Sequence, residues 1–209
     1  MDSAIFEVPS LRRAREIILT PEGGASTETR WRHETPYLVD QIERELRPGP
    51  GRTILDYGCG IGRLAKALIA RSGCRVIGVD PSLSMRSLST GYVRSNRFLS
   101  VPPAHFDQLL AQGLKVDGAI CIWVLQHVAD PQVEIDRIWR ALSQNGRLYV
   151  LNNLTRAVPV RGEGWTDDGI DIQLALTETF NVVGGGAPDP RRVTEHLSEV
   201  AFWGLYERS

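Results

Sequence analysis

Asp56 closes an apolar run and stands two residues before three glycines at alternate positions, Gly58, Gly60 and Gly62, in the stretch "TILDYGCGIGR". A glycine cluster behind a buried strand lets main chain approach a ligand closely, because no Cβ intervenes and φ can turn positive. A second carboxylate, Asp80, ends the next apolar run, "CRVIGVD", at 80 minus 56 or 24 positions from the first. The spacing limits the ligand. A pyrophosphate loop needs G-x-G-x-x-G, and Arg63 occupies the third glycine's place; a Walker loop needs a following Gly-Lys-Ser/Thr, which is missing. A carboxylate at the mouth of the loop repels a pyrophosphate by ~1 kcal/mol or more at contact and favours an ammonium or a sulfonium.

These residues ride on a regular alternation of elements that begins at residue 53. "TILDY" reads as a buried strand, "GRLAKALIAR" as a helix with Leu64, Ala67 and Leu68 at helical spacing, and "CRVIGVD" as the next strand. "SLSMRSLST" is a helix capped by Ser82, "NRFLSV" a third strand, "PAHFDQLLAQ" a helix and "VDGAICIWV" an apolar strand. "PQVEIDRIWRAL" is an amphipathic helix opened by Asp130 with Pro131 at its first position, and "GRLYVLNN" is the fifth strand. Strands joined by helices of about a dozen residues pair in parallel through right-handed crossovers, which predicts a doubly wound α/β sheet. Ligands of such sheets sit beyond the carboxyl ends of the strands, where the glycines lie.

Two segments flank this core. Residues 1–50 carry the helical patterns "SLRRAREIIL" and "TPYLVDQIEREL", the second opened by Thr35 as N-cap with Pro36 at N1, and are expected to form a helical cap on a domain of residues 51–209. Residues 154–209 begin with the long polar connection "TRAVPVRGEGWTDDG", of a length that is more often functional than idle. A short helix "IDIQLALTE" follows, then "TFNVVGG" and "SEVAFWGLYER", expected as an antiparallel C-terminal strand pair at one edge of a mostly parallel seven-stranded sheet.

Composition narrows the partners. Twenty-four basic against 25 acidic side chains, a net charge of -1, supply no general pull toward phosphate backbones, so nucleic acid is not an expected partner. Cys59, Cys74 and Cys121 form no CxxC pair; they fit a reducing cytosol and predict neither a disulfide framework nor a metal site. The start "MDSAIFEVPSLRR" lacks a secretory pattern, and no run approaches the ~20 apolar residues of a spanning helix, so a cytoplasmic chain without membrane association is expected. The oligomeric state is left open.

On four features in order the chain resembles the class I S-adenosylmethionine-dependent methyltransferases: "ILDYGCGIG", "RVIGVDPS", "DGAICIWVLQHVADP" and "GRLYVLNN". The resemblance covers roughly residues 35–155, with the final strand pair extending it to the end. It implies a Rossmann-like fold and direct displacement of a methyl group from S-adenosylmethionine, leaving S-adenosylhomocysteine; with no inserted domain or basic tract in the sequence, the expected acceptor is a small molecule. It assigns Gly58, Gly60, Gly62 and the backbone of Cys59 to the cofactor loop, Asp56 to the amino group and Asp80 to the ribose. Pro81, Ser82 and Met85 would border the adenosine, and Ile122 with Trp123 the methionine tail. Where many relatives place an Asp or Asn for the adenine amine, this chain reads "SVPPAHFD", with only Ala104, His105 and Phe106 as substitutes.

His127 follows the fourth strand, where it would act as a base, orient the acceptor or simply pack. Arg30 and Trp31 would close over the cofactor carboxylate or belong to an ordinary amphipathic helix, and Trp165, Asp167 and Asp168 would touch the acceptor or form a solvated turn. Trp139, Phe202 and Trp203 are expected in the core. Two rival readings are a nicotinamide-dependent oxidoreductase and a non-catalytic S-adenosylmethionine-binding module.

Overall fold

The computed structural model describes residues 3–160 and 164–209; residues 161–163 of the long polar connection lie outside it. After a 3-10 turn at Ser3–Phe6 come α1 (Leu11–Ile18) and α2 (Thr27–Leu46). The alternating core is β1 (Thr53–Tyr57), α3 (Arg63–Ser72), β2 (Arg75–Val79), α4 (Leu83–Val93), β3 (Phe98–Val101), α5 (Pro103–Ala111), β4 (Val116–Ile122), α6 (Pro131–Ala141) and β5 (Leu142–Asn153). A small hairpin, β6 (Val158–Val160) and β7 (Gly164–Thr166), precedes α7 (Ile172–Thr179), β8 (Asn181–Gly186), α8 (Glu195–Val200) and β9 (Ala201–Glu207).

Seven strands make one sheet in the order β3-β2-β1-β4-β5-β9-β8. The chain reverses direction of travel across the sheet between β1 and β4, which pair in parallel, and that junction is the topological switch point. The C-terminal pair is present, with a refinement: β9 inserts between β5 and β8 and is antiparallel to both, so it alone runs against the sheet. The pleat sends alternate side chains of β1 to opposite faces. Ile54 joins the layer of α2 and α3, while Leu55 and Tyr57 join the layer of α5, α6 and α7. Each fully buried aliphatic or aromatic side chain here contributes ~1.5–3 kcal/mol of burial.

One helix boundary differs from the sequence reading. α2 starts at Thr27, capped by the Ser26 hydroxyl accepting from Thr29 N at 3.2 Å, and runs through Thr35 and Pro36 to Leu46. Pro36 forfeits one intrahelical hydrogen bond, a cost of ~3 kcal/mol in an isolated helix. Burial of Tyr37, Leu38, Val39, Ile42 and Leu46 against the sheet offsets it, and an upstream Arg30–Glu34 pair at i,i+4 spacing holds the first turns. Thr35, free of capping duty, accepts a hydrogen bond from Arg63 at 3.2 Å. The other caps agree with the sequence: Ser82 accepts from Met85 N, and Asp130 from Gln132 N and Val133 N behind Pro131. Phe202 is buried in the core and Trp139 and Trp203 pack against it. Among the described residues no helix is long and apolar enough to cross a membrane.

Candidate functional site

β1 delivers Asp56 and Tyr57 to the switch point and then turns sharply through Gly58 and Gly60, at φ +76° and +52°. Those values belong to the left-handed region, which L side chains enter at a cost of ~1–2 kcal/mol. Space is equally restrictive. A Cβ on Gly58 would lie 2.1 Å from Cγ2 of Val124, and one on Gly60 would lie 2.9 Å from Cδ1 of Ile18. The turn is pinned from β2: Gly58 N donates to Val79 O at 2.7 Å, and Gly60 N donates to the Asp80 carboxylate at 2.8 Å. Gly62 caps α3 in the same left-handed region and is tucked against Val93.

Around this turn a cavity of about 200 Å³ opens at the carboxyl ends of β1, β2 and β4. Asp56, Gly58, Gly60, Arg63, Ile122 and Trp123 line it toward the α3 layer. Tyr57, Val79, Pro103, Val124, Val128 and Glu134 line it toward the α5 and α6 layer. Phe6, Ile17 and Ile18 of the N-terminal segment cover it. That cover is fastened at Glu7, whose carboxylate accepts from Leu83 N and Ser84 N at the start of α4, 2.9 and 3.0 Å away; the Ser84 side chain first, and then these bonds, hold its pKa low.

The electrostatics follow from burial. Asp56 is only 4% exposed, its Oδ2 has no hydrogen-bond partner, and loss of water pushes its pKa up to about 7, against the lowering effect of Arg63. Asp80, 8% exposed, is pushed up to about 6 by burial, although Ser82 N and Gly60 N donate to it and pull the other way. Burial brings Arg63 down to about 10; it remains a cation, 5% exposed, facing Glu34 and Asp56. A Cys59 thiol beside two carboxylates is pushed well up, first by burial and then by Asp80 and Asp56, so it is not a nucleophile at neutral pH.

Of the residues singled out from sequence, Asp56, Gly58, Cys59, Gly60, Asp80, Pro81, Met85, Ile122, Trp123 and His127 all line the cavity. Gly62 and Ser82 stand behind the lining, as helix caps. Trp123 takes φ +62° where β4 ends, and its indole N–H is buried without a partner. His127 Nδ1 lies 2.6 Å from Ala157 O and Nε2 lies 3.1 Å from the Gln126 amide nitrogen, which makes Nδ1 the protonated nitrogen and Nε2 the acceptor. Burial lowers the pKa of His127, so the ring is neutral at pH 7. It also stacks obliquely with Trp165 and Phe6, at centroid separations of 5.0 and 5.8 Å.

Arg30 does not reach the cavity: it is consumed by Glu34, Glu22 and the Thr20 carbonyl. Trp31 instead backs the guanidinium of Arg63, 5.5 Å from its ring centroid. Asp168 makes two bonds, 2.7 and 2.9 Å, to a fully buried Arg156 that also donates to Leu125 O and Val128 O, tying the long connection to the loop after β4. Asp167 accepts only from Gly169 N, in an exposed turn. Arg63, Glu134 and the cover at Phe6, Ile17 and Ile18 were not singled out. Arg63 carried a signal, since it follows the last glycine directly; the others arrive from distant segments. Among the described residues no group of three or more His, Cys, Asp and Glu side chains is placed to hold a metal.

A glycine turn at the switch point, set between two buried carboxylates, marks the ligand-binding end of a doubly wound α/β domain. The family model described as "Methyltransferase domain" matches residues 30–179, and the chain belongs to that family. It is similar to the ubiquinone biosynthesis O-methyltransferase of Xylella fastidiosa (strain 9a5c), 33% identical over 121 residues that cover 55% of this chain and 47% of the relative. The enzyme of the same name from Caulobacter vibrioides is 32% identical over 115 residues, 53% of this chain and 45% of the relative. The chain thus spans about half the length of the curated relatives it matches. A solved SAM-dependent methyltransferase from Aquifex aeolicus shares the fold at a TM-score of 0.64 and 12% identity, covering 97% of this chain and 100% of that one. A geranyl diphosphate methyltransferase solved with GPP and sinefungin does so at 0.62 and 17%, covering 83% and 78%.

Proposed function

We propose that the chain is an S-adenosylmethionine-dependent methyltransferase that methylates a small molecule. The observation that carries this reading is the Gly58–Gly60 turn between Asp56 and Asp80, with an unpaired carboxylate oxygen on Asp56 and room for main chain but no Cβ. These residues fit the cofactor's parts. Asp56 would hold the ammonium, Arg63 the carboxylate, Asp80 the ribose hydroxyls and Pro81 with Met85 the adenosine, while Ile122 and Trp123 would flank the methionine chain. Gly62 and Ser82 would serve by fixing the ends of α3 and α4.

When bound, S-adenosylmethionine supplies a methyl group already activated on a sulfonium. That methyl would pass to the acceptor's lone pair, the electrons of the carbon–sulfur bond staying with sulfur. The protein's part is alignment and exclusion of water. Phe6, Ile17 and Ile18 would exclude water, with residues 1–50 acting as the cap of a domain at 51–209. Where the acceptor is protonated at neutral pH, neutral His127 would take its proton at Nε2 once the acceptor displaces the Gln126 amide from that lone pair, with Nδ1–H anchored on Ala157 O. The names of the similar proteins, which concern ubiquinone biosynthesis and geranyl diphosphate, support a small acceptor. The balanced charge supports neither nucleic acid nor a membrane surface as partner, and burial of all three thiols suits a cytoplasmic setting.

The test is incubation with methyl-labelled S-adenosylmethionine and a panel of small phenols, amines and carboxylic acids. Label transfer with equimolar S-adenosylhomocysteine is expected. Binding without turnover across the panel would favour a non-catalytic module, and no binding would remove the proposal.

A further inference from the structure

The loop after β3 brings no polar side chain to the cavity and lines it through Pro103. Pro102 and Pro103 carry no N–H, the side chains of Ala104 and His105 are exposed, and Phe106 is fully buried with its ring edge-on to Tyr57 at 6.3 Å. Yet the cavity continues on that side. Val79, Pro103, Val124 and Val128 give it apolar walls suited to a flat heteroaromatic ring, and its polar groups there are Glu134, from the first turn of α6, and Tyr57.

Glu134 is braced. The Tyr57 hydroxyl and Arg137 both donate to its Oε2, and Arg137 also donates to the Tyr57 oxygen at 3.0 Å. Arg137 is in turn fixed by two bonds to Asp107, at 2.8 and 3.2 Å. Oε1 has no protein hydrogen-bond partner among the described residues and, on a side chain 23% exposed, is open to water or to a ligand. A carboxylate oxygen only accepts, so a ligand group that meets it there must be an N–H or O–H donor. The other polar groups of the cavity are otherwise engaged or sit elsewhere: both His127 nitrogens are bonded, Asp80 stands at the end of β2, and Asp56 and Arg63 face the α3 side.

We propose that Glu134, held in place by Tyr57 and Arg137, recognises the exocyclic amine of the cofactor's adenine, with α6 supplying the contact that the loop after β3 lacks. This rests on the S-adenosylmethionine reading above and extends it to the base. Adenine presents N–H donors only at that amine; its ring nitrogens are acceptors, which a carboxylate would repel. A 6-oxo base presents an acceptor there and moves its N–H donor to N1, out of line with Oε1, so it should bind more weakly. Glu134 would otherwise be no more than an i,i+3 partner of Arg137 near a helix start, a role indifferent to the base.

The experiment is calorimetric titration of the full chain with S-adenosylhomocysteine and with S-inosylhomocysteine, for wild type, Glu134→Gln and Tyr57→Phe, with thermal unfolding as the fold control. Wild type should prefer the adenine compound by about tenfold or more, the scale of a hydrogen bond to a charged group. Glu134→Gln, whose amide can donate to the 6-oxo group, should bring the ratio near one or invert it, and Tyr57→Phe should lower it by a smaller factor. A ratio unchanged in folded Glu134→Gln, or no preference in wild type, overturns the proposal while leaving the cofactor assignment intact. Should Glu134→Gln fail to fold, an unchanged ratio in Tyr57→Phe overturns it. Failure of wild type to bind either compound would sink the parent reading as well.

Discussion

Asp56→Asn separates the charge of the cradle from its shape. In the folded chain the Asp56 carboxyl is raised from 3.8 to about 7, first by burial, with Arg63 opposing and Asp80 adding to the rise. A carboxyl with a raised folded pKa keeps its proton in the native state after the unfolded chain has lost its own. The free energy of unfolding therefore falls as pH climbs from about 4 to about 7, and the penalty is constant above that. Three pKa units at ~1.36 kcal/mol each put that penalty on the order of 4 kcal/mol above pH 7. Asn keeps the volume without the charge, but its buried amide brings donors whose partners must be found, at ~1–3 kcal/mol. A net gain of ~1–3 kcal/mol over wild type is expected at pH 8 and a net loss of ~1–3 kcal/mol at pH 4, where only the amide cost remains. Urea unfolding followed by tryptophan fluorescence at pH 4, 6 and 8 measures this directly. A difference between the two proteins that does not change between pH 4 and pH 8 would refute the reasoning. The stabler variant should also bind S-adenosylhomocysteine about tenfold or more weakly, through loss of a charged hydrogen bond of ~1.5–3 kcal/mol.

Three further outcomes are expected. Gly58→Ala, with its Cβ 2.1 Å from Val124 and φ at +76°, should lose ~1–3 kcal/mol of stability and all measurable S-adenosylhomocysteine binding, checked by thermal unfolding and calorimetry on the folded variant. Asp80→Asn should weaken that binding by about 10- to 100-fold, and unchanged affinity would remove Asp80 from the ribose site. His127→Asn should slow methylation of acceptors protonated at neutral pH by ~10²–10⁴ with cofactor affinity unchanged. Because burial lowers the His127 pKa, the wild-type rate should hold its plateau to a lower pH than a free imidazole would allow.

The chemistry-bearing core of the site was legible because it is local. Asp56, the glycine turn and Asp80 lie within two strand ends, where spacing alone determines which way each side chain points and how close a ligand can come. The sheet was legible for a similar reason, since each crossover is one strand and one helix. Arg63 was present in the same stretch but was read only as a missing glycine; burial at the start of α3 is what turns it toward Asp56. Glu134 lies 134 minus 80 or 54 positions beyond Asp80 and meets the site only by folding, while Phe6 and Ile18 belong to a cover whose placement depends on Glu7 reaching α4, 76 residues away. The start of α2 was misplaced because Thr35-Pro36 carries a strong local capping signal. Tertiary burial of the following apolar residues and the earlier cap at Ser26 outweighed it. Arg30 illustrates the limit in another way: its type suits a carboxylate clamp, and only the structure shows it already spent on Glu34 and Glu22.

The most direct measurement is a crystal structure with S-adenosylhomocysteine. The predicted result places its amino group within hydrogen-bond distance of Asp56, its ribose hydroxyls on Asp80 and its chain along the Gly58–Gly60 turn. Density for the nucleoside elsewhere, or a glycine turn that stays empty at saturating ligand, would contradict the assignment.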